Sequence, residues 1–299
     1  MSLSIALLYG GISSEREVSL ESGRCVYEAL KKNFDKVQLV DVNHQFADEI
    51  NKINADVYYN ILHGVFGEDG QIQKILEKHG KKFTGSGSES CALTMDKILT
   101  KELLIKNNIN TSPFLRLSEK TTPKDIISHL GLPLVIKPIL GGSSVELYII
   151  KTAEELNKVP MRSHLFAEKF IKGREFTVGL IDGKALPIIE IATVKGVYDY
   201  EAKYVSDSTN YLFDSLPAPL EKKLQEIAQK VYSITDSRDV ARVDFILSAD
   251  NEPFVLEINS IPGMTTHSLL PKAANKIGIS FEELCKKIVL SANSRSATG

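Results

Sequence analysis

Three side chains with hard oxygen donors, Asp244, Glu257 and Asn259, fall on two short apolar segments that turn back on each other. Residues 240–247 and 254–258 read as strands joined by Ser248-Ala249-Asp250-Asn251-Glu252-Pro253. Folding the turn about Asp250-Asn251 sets Val243 against Ile258, Phe245 against Leu256 and Leu247 against Phe254, so one face is wholly apolar. Side chains alternate along a strand, and the other face therefore pairs Arg242 with Asn259 and Asp244 with Glu257. Cross-strand carboxylates with Cβ atoms roughly 4.5–5.5 Å apart repel unless a cation lies between them. Arg242, diagonal to Glu257, supplies part of that charge. Asp, Glu and Asn together suit Mg²⁺, which keeps several waters and shares its coordination with phosphates. Two acids on a hairpin are by themselves an ordinary solvated face. The small-residue loop Pro262-Gly263-Met264-Thr265-Thr266-His267-Ser268 beside them turns the reading toward a site.

No G-x-x-x-x-G-K-[ST] loop and no G-x-G-x-x-G after a strand occurs, so any phosphate is held by another device. Lys137 ends an apolar strand and Gly141-Gly142-Ser143-Ser144 follows. Glycines admit backbone N–H groups to a polyphosphate, and serine hydroxyls add to them. Alone, such a stretch is usually a turn. Lys97, in the first turn of a helix after Met95-Asp96, reads alone as a surface lysine. Glu15 lies where a helix begins, a position any acid favours. His63, within His63-Gly64-x-x-Gly67-Glu68-Asp69-Gly70, reads alone as a turn histidine, and Tyr204 beside Lys203 as a packing tyrosine. No Ser-His-Asp elbow, zinc spacing or nucleophilic cysteine motif appears.

The elements that must position these residues follow from the apolar pattern. Residues 5–9, 37–42 and 56–62 read as strands alternating with helices, the first of which carries Val18, Ser22, Cys25, Val26, Ala29 and Leu30. A helix over 71–78 leads to residues 82–84. This alternation predicts a small parallel sheet, with ligands at the strand ends where Gly10-Gly11 and His63-Gly64 fall. Gly85-Ser86-Gly87-Ser88 reads as a linker. A helix over 95–107, strands over 133–137 and 165–170, and a hairpin of 174–181 with 184–191 about Asp182-Gly183 follow. Residues 198–211 read as a long closing loop. Helices over 220–235 and 281–290 flank the metal hairpin, and residues 291–299 are expected to fray. The 299 residues are one quarter charged with a net charge of −2, which gives no nucleic-acid footprint and no basic membrane patch. The N-terminal run is neither a signal peptide nor a membrane span, and three scattered cysteines fit a cytoplasmic protein.

Taken together the chain resembles ATP-grasp enzymes, and more closely the D-alanine–D-alanine ligase family, from Leu8 to about Leu290. The resemblance rests on Tyr9-Gly10-Gly11-x-Ser13-x-Glu15-x-x-x-Ser19, Leu62-His63-Gly64-x-x-Gly67-Glu68-Asp69-Gly70, Met95-Asp96-Lys97 and Val135-Ile136-Lys137-Pro138. It continues through Gly142-Ser143-Ser144-Val145, Glu168-Lys169-x-x-x-Gly173-x-Glu175 and Tyr198-Asp199-Tyr200-Glu201-Ala202-Lys203-Tyr204. Ala241-Arg242-Val243-Asp244 and Glu257-x-Asn259-x-x-Pro262-Gly263-Met264-Thr265 complete it. It implies an α/β ATP-grasp fold, α+β in the ATP-binding part, with an N-terminal domain at 1–86, a central one at 87–168 and a C-terminal one at 169–299. It further implies ATP-dependent joining of two D-alanines for peptidoglycan precursors, with two Mg²⁺ ions, for which Mn²⁺ substitutes, and a cytoplasmic homodimer.

By the same resemblance, Lys97, Lys137 and Lys203 contact phosphates with the Gly142-Ser143-Ser144 loop. Glu168, Lys169 and Ile171 hold adenine, and Glu175 the ribose. Asp244, Glu257 and Asn259 bind the metal. Glu15 takes the first D-alanine's ammonium with His63 nearby, and Glu15, Ser143 and Tyr204 pin the loops shut. Arg242 and the Gly263 N–H stabilise the oxyanion, while Ser268 and Leu269 position the second carboxylate. Three departures stand out: Gly141 where an acid is frequent, Glu146 where glycine is common, and Ile261 where a small polar residue is frequent. The rival readings are a D-alanine–D-lactate or D-serine ligase, a nucleotide-binding regulatory module without chemistry, and another ATP-grasp carboxylate–amine ligase.

Overall fold

The structure is a computed structural model that describes residues 2–141, 146–192 and 209–295. Among these residues three sheets form. In the first, β1 (Ser4–Gly10) lies between β2 (Lys36–Val42) and β3 (Val57–Asn60), all parallel. The unbroken apolar run of β1 suits a strand buried on both faces. Ile5 and Leu7 pack under α1 (Arg16–Lys31), while Ala6 and Leu8 face Phe46, Ile72 and Leu76 on the other side. Ile72 and Leu76 belong to α3 (Gln71–Lys78), which follows the short α2 (Phe46–Glu49). Two helices from the far end of the chain, α9 (Leu269–Lys276) and α10 (Phe281–Ser294), complete the α1 layer through Leu270, Leu284 and Ile288.

The expected linker is a fixed segment. Ser86 is buried, the Gly85 N–H donates to Asp239 Oδ2 at 2.6 Å, and the Ser88 N–H donates to Glu77 Oε1 at 2.8 Å. Its polar backbone finds partners in the protein, so it gains nothing from solvent. Ser88 opens a helix, α4 (Ser88–Met95), and α5 (Lys97–Lys106) follows. The single helix expected over 95–107 is broken because Asp96 is extended and caps the Ile98 and Leu99 N–H groups at 2.9 Å each.

The second sheet is antiparallel, ordered β4 (Phe114–Arg116), β7 (Leu165–Lys169), β5 (Leu134–Pro138), β6 (Tyr148–Ile150). Helices α6 (Pro123–Leu130) and α7 (Ala153–Leu156) cover it through Ile126, Leu130 and Leu156. The third sheet runs β11 (Asn210–Leu212), β10 (Ile189–Ala192), β8 (Gly173–Ile181), β12 (Val240–Ser248), β13 (Pro253–Asn259), with β9 (Lys184–Ala185) also on β8. Its core lies under α8 (Ala218–Ile234), where Leu224, Ala228 and Val231 meet Val178, Leu180, Val243 and Phe245.

Four expectations change here. The strand expected over 184–191 splits at Pro187, which has no N–H for the ladder, and pairing resumes two residues later at Ile189–Thr177. Of the closing loop expected over 198–211, residues 198–208 lie outside the described residues, while Asn210 and Tyr211 lie in β11, Tyr211 against Ile191. Residues 291–294 continue α10, and Arg295 pairs with the buried Asp239 and donates to the Phe83 carbonyl at 2.8 Å, so residues 291–295 do not fray; residues 296–299 lie outside the described residues. The hairpin register holds for Arg242–Asn259, Val243–Ile258 and Asp244–Glu257, then shifts, so that Phe245 meets Val255 and Leu247 meets Pro253. Leu256 is the extra residue of a β-bulge. The apolar face therefore carries Val255 in place of Leu256 and Phe254.

Candidate active site

The bulge decides what the hairpin presents. Asp244 lies on β12 between two partner strands, opposite Glu257 on β13 and Thr177 on β8. Arg242 forks onto Asp244 with Nε and Nη2 at 2.9 and 2.8 Å, and the Thr177 hydroxyl donates to it at 2.6 Å. Asn259 Nδ2 donates to Asp244 at 3.0 Å, which leaves its carbonyl oxygen as an acceptor for another group. The register keeps Arg242 diagonal to Glu257, and its guanidinium forks onto Asp244, two residues along its own strand. Ile246 and its cross-strand partner Phe254 follow on the Asp244 side, half-buried. This surface is polar at one end and apolar at the other, suited to a phosphate chain carrying a flat ring.

A buried ion network faces it from the second sheet. Glu168 on β7 is held at 2.7 Å by Lys137 of β5 and at 2.7 Å by Lys101 of α5, and it accepts the Ser112 hydroxyl at 2.6 Å. Burial alone would raise the Glu168 carboxyl, but Lys101 and Lys137 pull it well below the usual carboxylate range. Burial works against the charge on Lys137 too, yet the fields of Glu168 and Glu257 carry its pKa above the ordinary value. Lys97 donates from its backbone to the Ile139 carbonyl at 3.1 Å and from Nζ to the Gly141 carbonyl. The departures also find places. Gly141 has φ +101°, which only glycine adopts without strain. Glu146 has φ +54°, where glycine is the natural occupant, and its carboxylate lies 3.1 Å from His164. Ile261 is buried in the core beneath the first sheet.

The loops after β1 and β3 meet at the strand ends. The Ser13 hydroxyl donates to the His63 carbonyl at 2.6 Å and accepts the Glu15 N–H at 3.1 Å. The Glu15 carboxylate lies so close to Gly64 that a Cβ added there would stand 3.4 Å from it. His63 is buried with Nδ1 3.6 Å from Glu68, and its Nε2 has no hydrogen-bond partner among the described residues. Ser268 stands at the N-cap position of α9 with its hydroxyl accepting the Thr265 N–H at 3.0 Å, next to Gly263, and Leu269 opens that helix. Lys169 ends β7, Ile171 lies between β7 and β8, and Glu175 lies on β8 opposite Ile246. Gly142, Ser143, Ser144, Lys203 and Tyr204 lie outside the described residues.

Sequence reasoning missed Lys101, Ser112 and Thr177. Lys101 follows Lys97 by four residues on one helix, a spacing that places both on one face. Thr177 is opposite Asp244 only because β8 lies beside β12, and no local signal announces it. No cluster of three His, Cys, Asp or Glu side chains suited to a metal occurs among the described residues. The Asp–Glu–Asn set nevertheless fits Mg²⁺, which takes only one or two carboxylates and completes its shell with phosphate and water.

A small parallel α/β unit joined to two antiparallel sheets, with lysines on one facing acids on the other, defines the ATP-grasp class of enzymes. The sequence profile described as "D-ala D-ala ligase C-terminus" matches residues 103–290. The D-alanine–D-alanine ligase of Bordetella avium is 38% identical, with 97% of this chain and 94% of that protein covered. That of Syntrophotalea carbinolica is 40% identical, with 97% and 96% covered. The crystal structure of the Bacillus anthracis enzyme complexed with ATP superposes with a TM-score of 0.84 at 31% identity, covering 97% of each chain. This chain belongs to the D-alanine–D-alanine ligase family.

Proposed function

We propose that the chain uses ATP to join two D-alanines into D-alanyl-D-alanine for peptidoglycan precursors. The observation that carries this is the family match over nearly the full chain, with Glu15 and His63 brought together at one end and Asp244 set against Glu257 at the other. A carboxylate is a poor acyl donor. Its oxygen attacks the γ-phosphorus of ATP, ADP leaves, and an acyl phosphate forms; the second D-alanine's amine then attacks the carbonyl and phosphate leaves. The steps need charge neutralisation on the phosphoryl group and exclusion of water.

In this reading Lys97 and Lys137, with Lys203, bind the phosphates. Glu168, Lys169 and Ile171 hold adenine beside the apolar surface of Ile246 and Phe254, and Glu175 holds the ribose. Asp244, Glu257 and Asn259 hold Mg²⁺, which supplies charge neutralisation when bound. Glu15 and His63 receive the first D-alanine, and the orphaned His63 Nε2 favours a polar ligand there. Arg242 and the Gly263 N–H face the oxyanion, and Ser268 with Leu269 the second carboxylate. The three sheets support units at 1–86, 87–168 and 169–299, with α9 and α10 returning to the first. No helix among the described residues is long and apolar enough to cross a membrane, which fits a cytoplasmic site of action. A homodimer is the expected assembly.

The test is D-alanine-dependent ADP release with product mass, run with D-alanine alone and with D-lactate or D-serine added. D-alanyl-D-alanine as the main product is the expected result. A depsipeptide or mixed product as the main species, or ATP binding without turnover, would overturn it.

A further inference from the structure

Lys101 is the most deeply buried cation among the described residues, with no accessible side-chain surface. An ammonium has three N–H donors. Those of Lys101 are matched by Glu168 Oε2 at 2.7 Å, Thr111 Oγ1 at 2.7 Å and Ser112 Oγ at 2.9 Å, all within the protein. Burial lowers its pKa, opposed by the field of Glu168. Thr111 in turn donates to the Val255 carbonyl at 2.8 Å, one residue before the bulge of the metal hairpin. Lys101 therefore ties α5, β7 and β13 together where the second and third sheets meet. It has no donor left for a ligand. Lys137, on the other oxygen of Glu168, keeps 13% of its side chain exposed.

The charge balance gives Lys101 a purpose. Without it, Glu168 and Lys137 form a neutral pair, and the lysine facing the cleft attracts a polyphosphate weakly. With it, the three groups carry one net positive charge. The other carboxylates whose fields reach Lys137 are Glu257 and Glu175, which the proposed reading gives to the metal and the ribose. We propose that Lys101 is a positioning residue for the nucleotide: it neutralises Glu168 so that the Lys137 ammonium presents uncompensated charge to the ATP phosphates. This inference rests on the proposed placement of ATP against Lys137.

The readout is the ratio of adenosine to ATP dissociation constants, measured by calorimetry on the whole protein with Mg²⁺ and without D-alanine. The ratio cancels changes at the adenine contact, which a merely structural role would also disturb. K101M should lower it about tenfold, the strength of a unit charge roughly 10 Å from a phosphate at an effective dielectric near 20. E168Q should raise it, and the double variant K101M/E168Q, whose net charge equals that of the wild type, should return it close to the wild-type value. K101R should keep it. Should K101M fail to fold, the order of E168Q, wild type and the double variant still decides, because the double variant leaves no buried carboxylate unpaired. A double variant whose ratio stays well below the wild-type value, or single variants that move the ratio in the same direction, would overturn the proposal. Loss of D-alanine-dependent ADP release in the wild type would sink the proposed reaction and leave this ratio test standing.

Discussion

The nucleotide end of the site is built on strands and buried charge, whereas the amino-acid end is built on loops. Asp244, Glu257, Lys137 and Glu168 all lie in β-strands, and their rotamers are set by neighbours across two sheets. Glu15 and His63 lie just beyond parallel strands, tied together through Ser13, whose hydroxyl donates to the His63 carbonyl and accepts the Glu15 N–H. The difference matches the ligands. Polyphosphate and metal need fixed, intense charge, which strands packed on both sides can hold against repulsion. A small amino acid must enter and leave, and loops on a rigid sheet permit that. The hydrogen bonding differs in kind as well: Glu168 is pulled far down by two buried lysines, while the loop after β3 is closed by the Gly64 and Phe66 N–H groups donating to the Glu68 and Asp69 carboxylates.

The largest expected effect breaks the strand-built half. Glu257→Gln should cut D-alanine-dependent ADP release by about 100- to 1,000-fold, the scale of losing one dedicated electrostatic contact in a transition state. Its melting temperature should stay close to the wild type, and near-normal turnover would refute the metal assignment. Next comes Thr177→Val, which keeps shape and removes the 2.6 Å bond to Asp244. A hydrogen bond to a charged group contributes about 1.5–3 kcal/mol, so turnover should fall roughly ten- to a hundredfold, with the D-alanine KM unchanged. An equal rise in the D-alanine KM would show that the two halves are not separate.

A smaller effect is expected on the loop side. Ser13→Ala should raise the D-alanine KM about fivefold, from a neutral hydrogen bond of about 1 kcal/mol, with ATP affinity untouched. Weakened ATP binding there would again blur the comparison. The smallest concerns the exposed fork of Arg16 on Asp41, at 2.7 and 2.6 Å, which braces the Gly11 turn. The hydrogen bond from Arg16 holds the Asp41 carboxyl below its usual range. A depressed folded pKa contributes stability above the unfolded value near about 3.9, and that stability is lost as pH falls through the folded value. Asp41→Asn should therefore lower the melting temperature by only about a degree or two at neutral pH, since exposed pairs contribute little. The difference should close as pH falls below about 4. A gap that widens on acidification would contradict the pairing.

Much was legible in the residues themselves. The parallel first sheet showed in the alternation of strands with helices, the turns in Gly10-Gly11 and Asp182-Gly183, and the facing of Asp244 and Glu257 in strict alternation across a short loop. These are local signals, set by backbone sterics and a period of two, and they survive without knowledge of the rest of the chain. The errors were non-local. The bulge at Leu256 moved the apolar pairing because the β13 face had to meet the core under α8 as well as its hairpin partner. The Gly85–Ser88 segment and Arg295 looked loose because Asp239, which holds both, lies far from them in sequence.

The amino-acid sequence by itself determined which groups carry the chemistry, since carboxylates, lysines and glycine turns declare their types and spacings directly. Only the tertiary structure decided how those groups are charged and aimed. Lys101, Thr177 and Ser13 reach their targets across different elements, and a charge buried in a medium of low polarity takes its state from whatever neighbours the fold delivers.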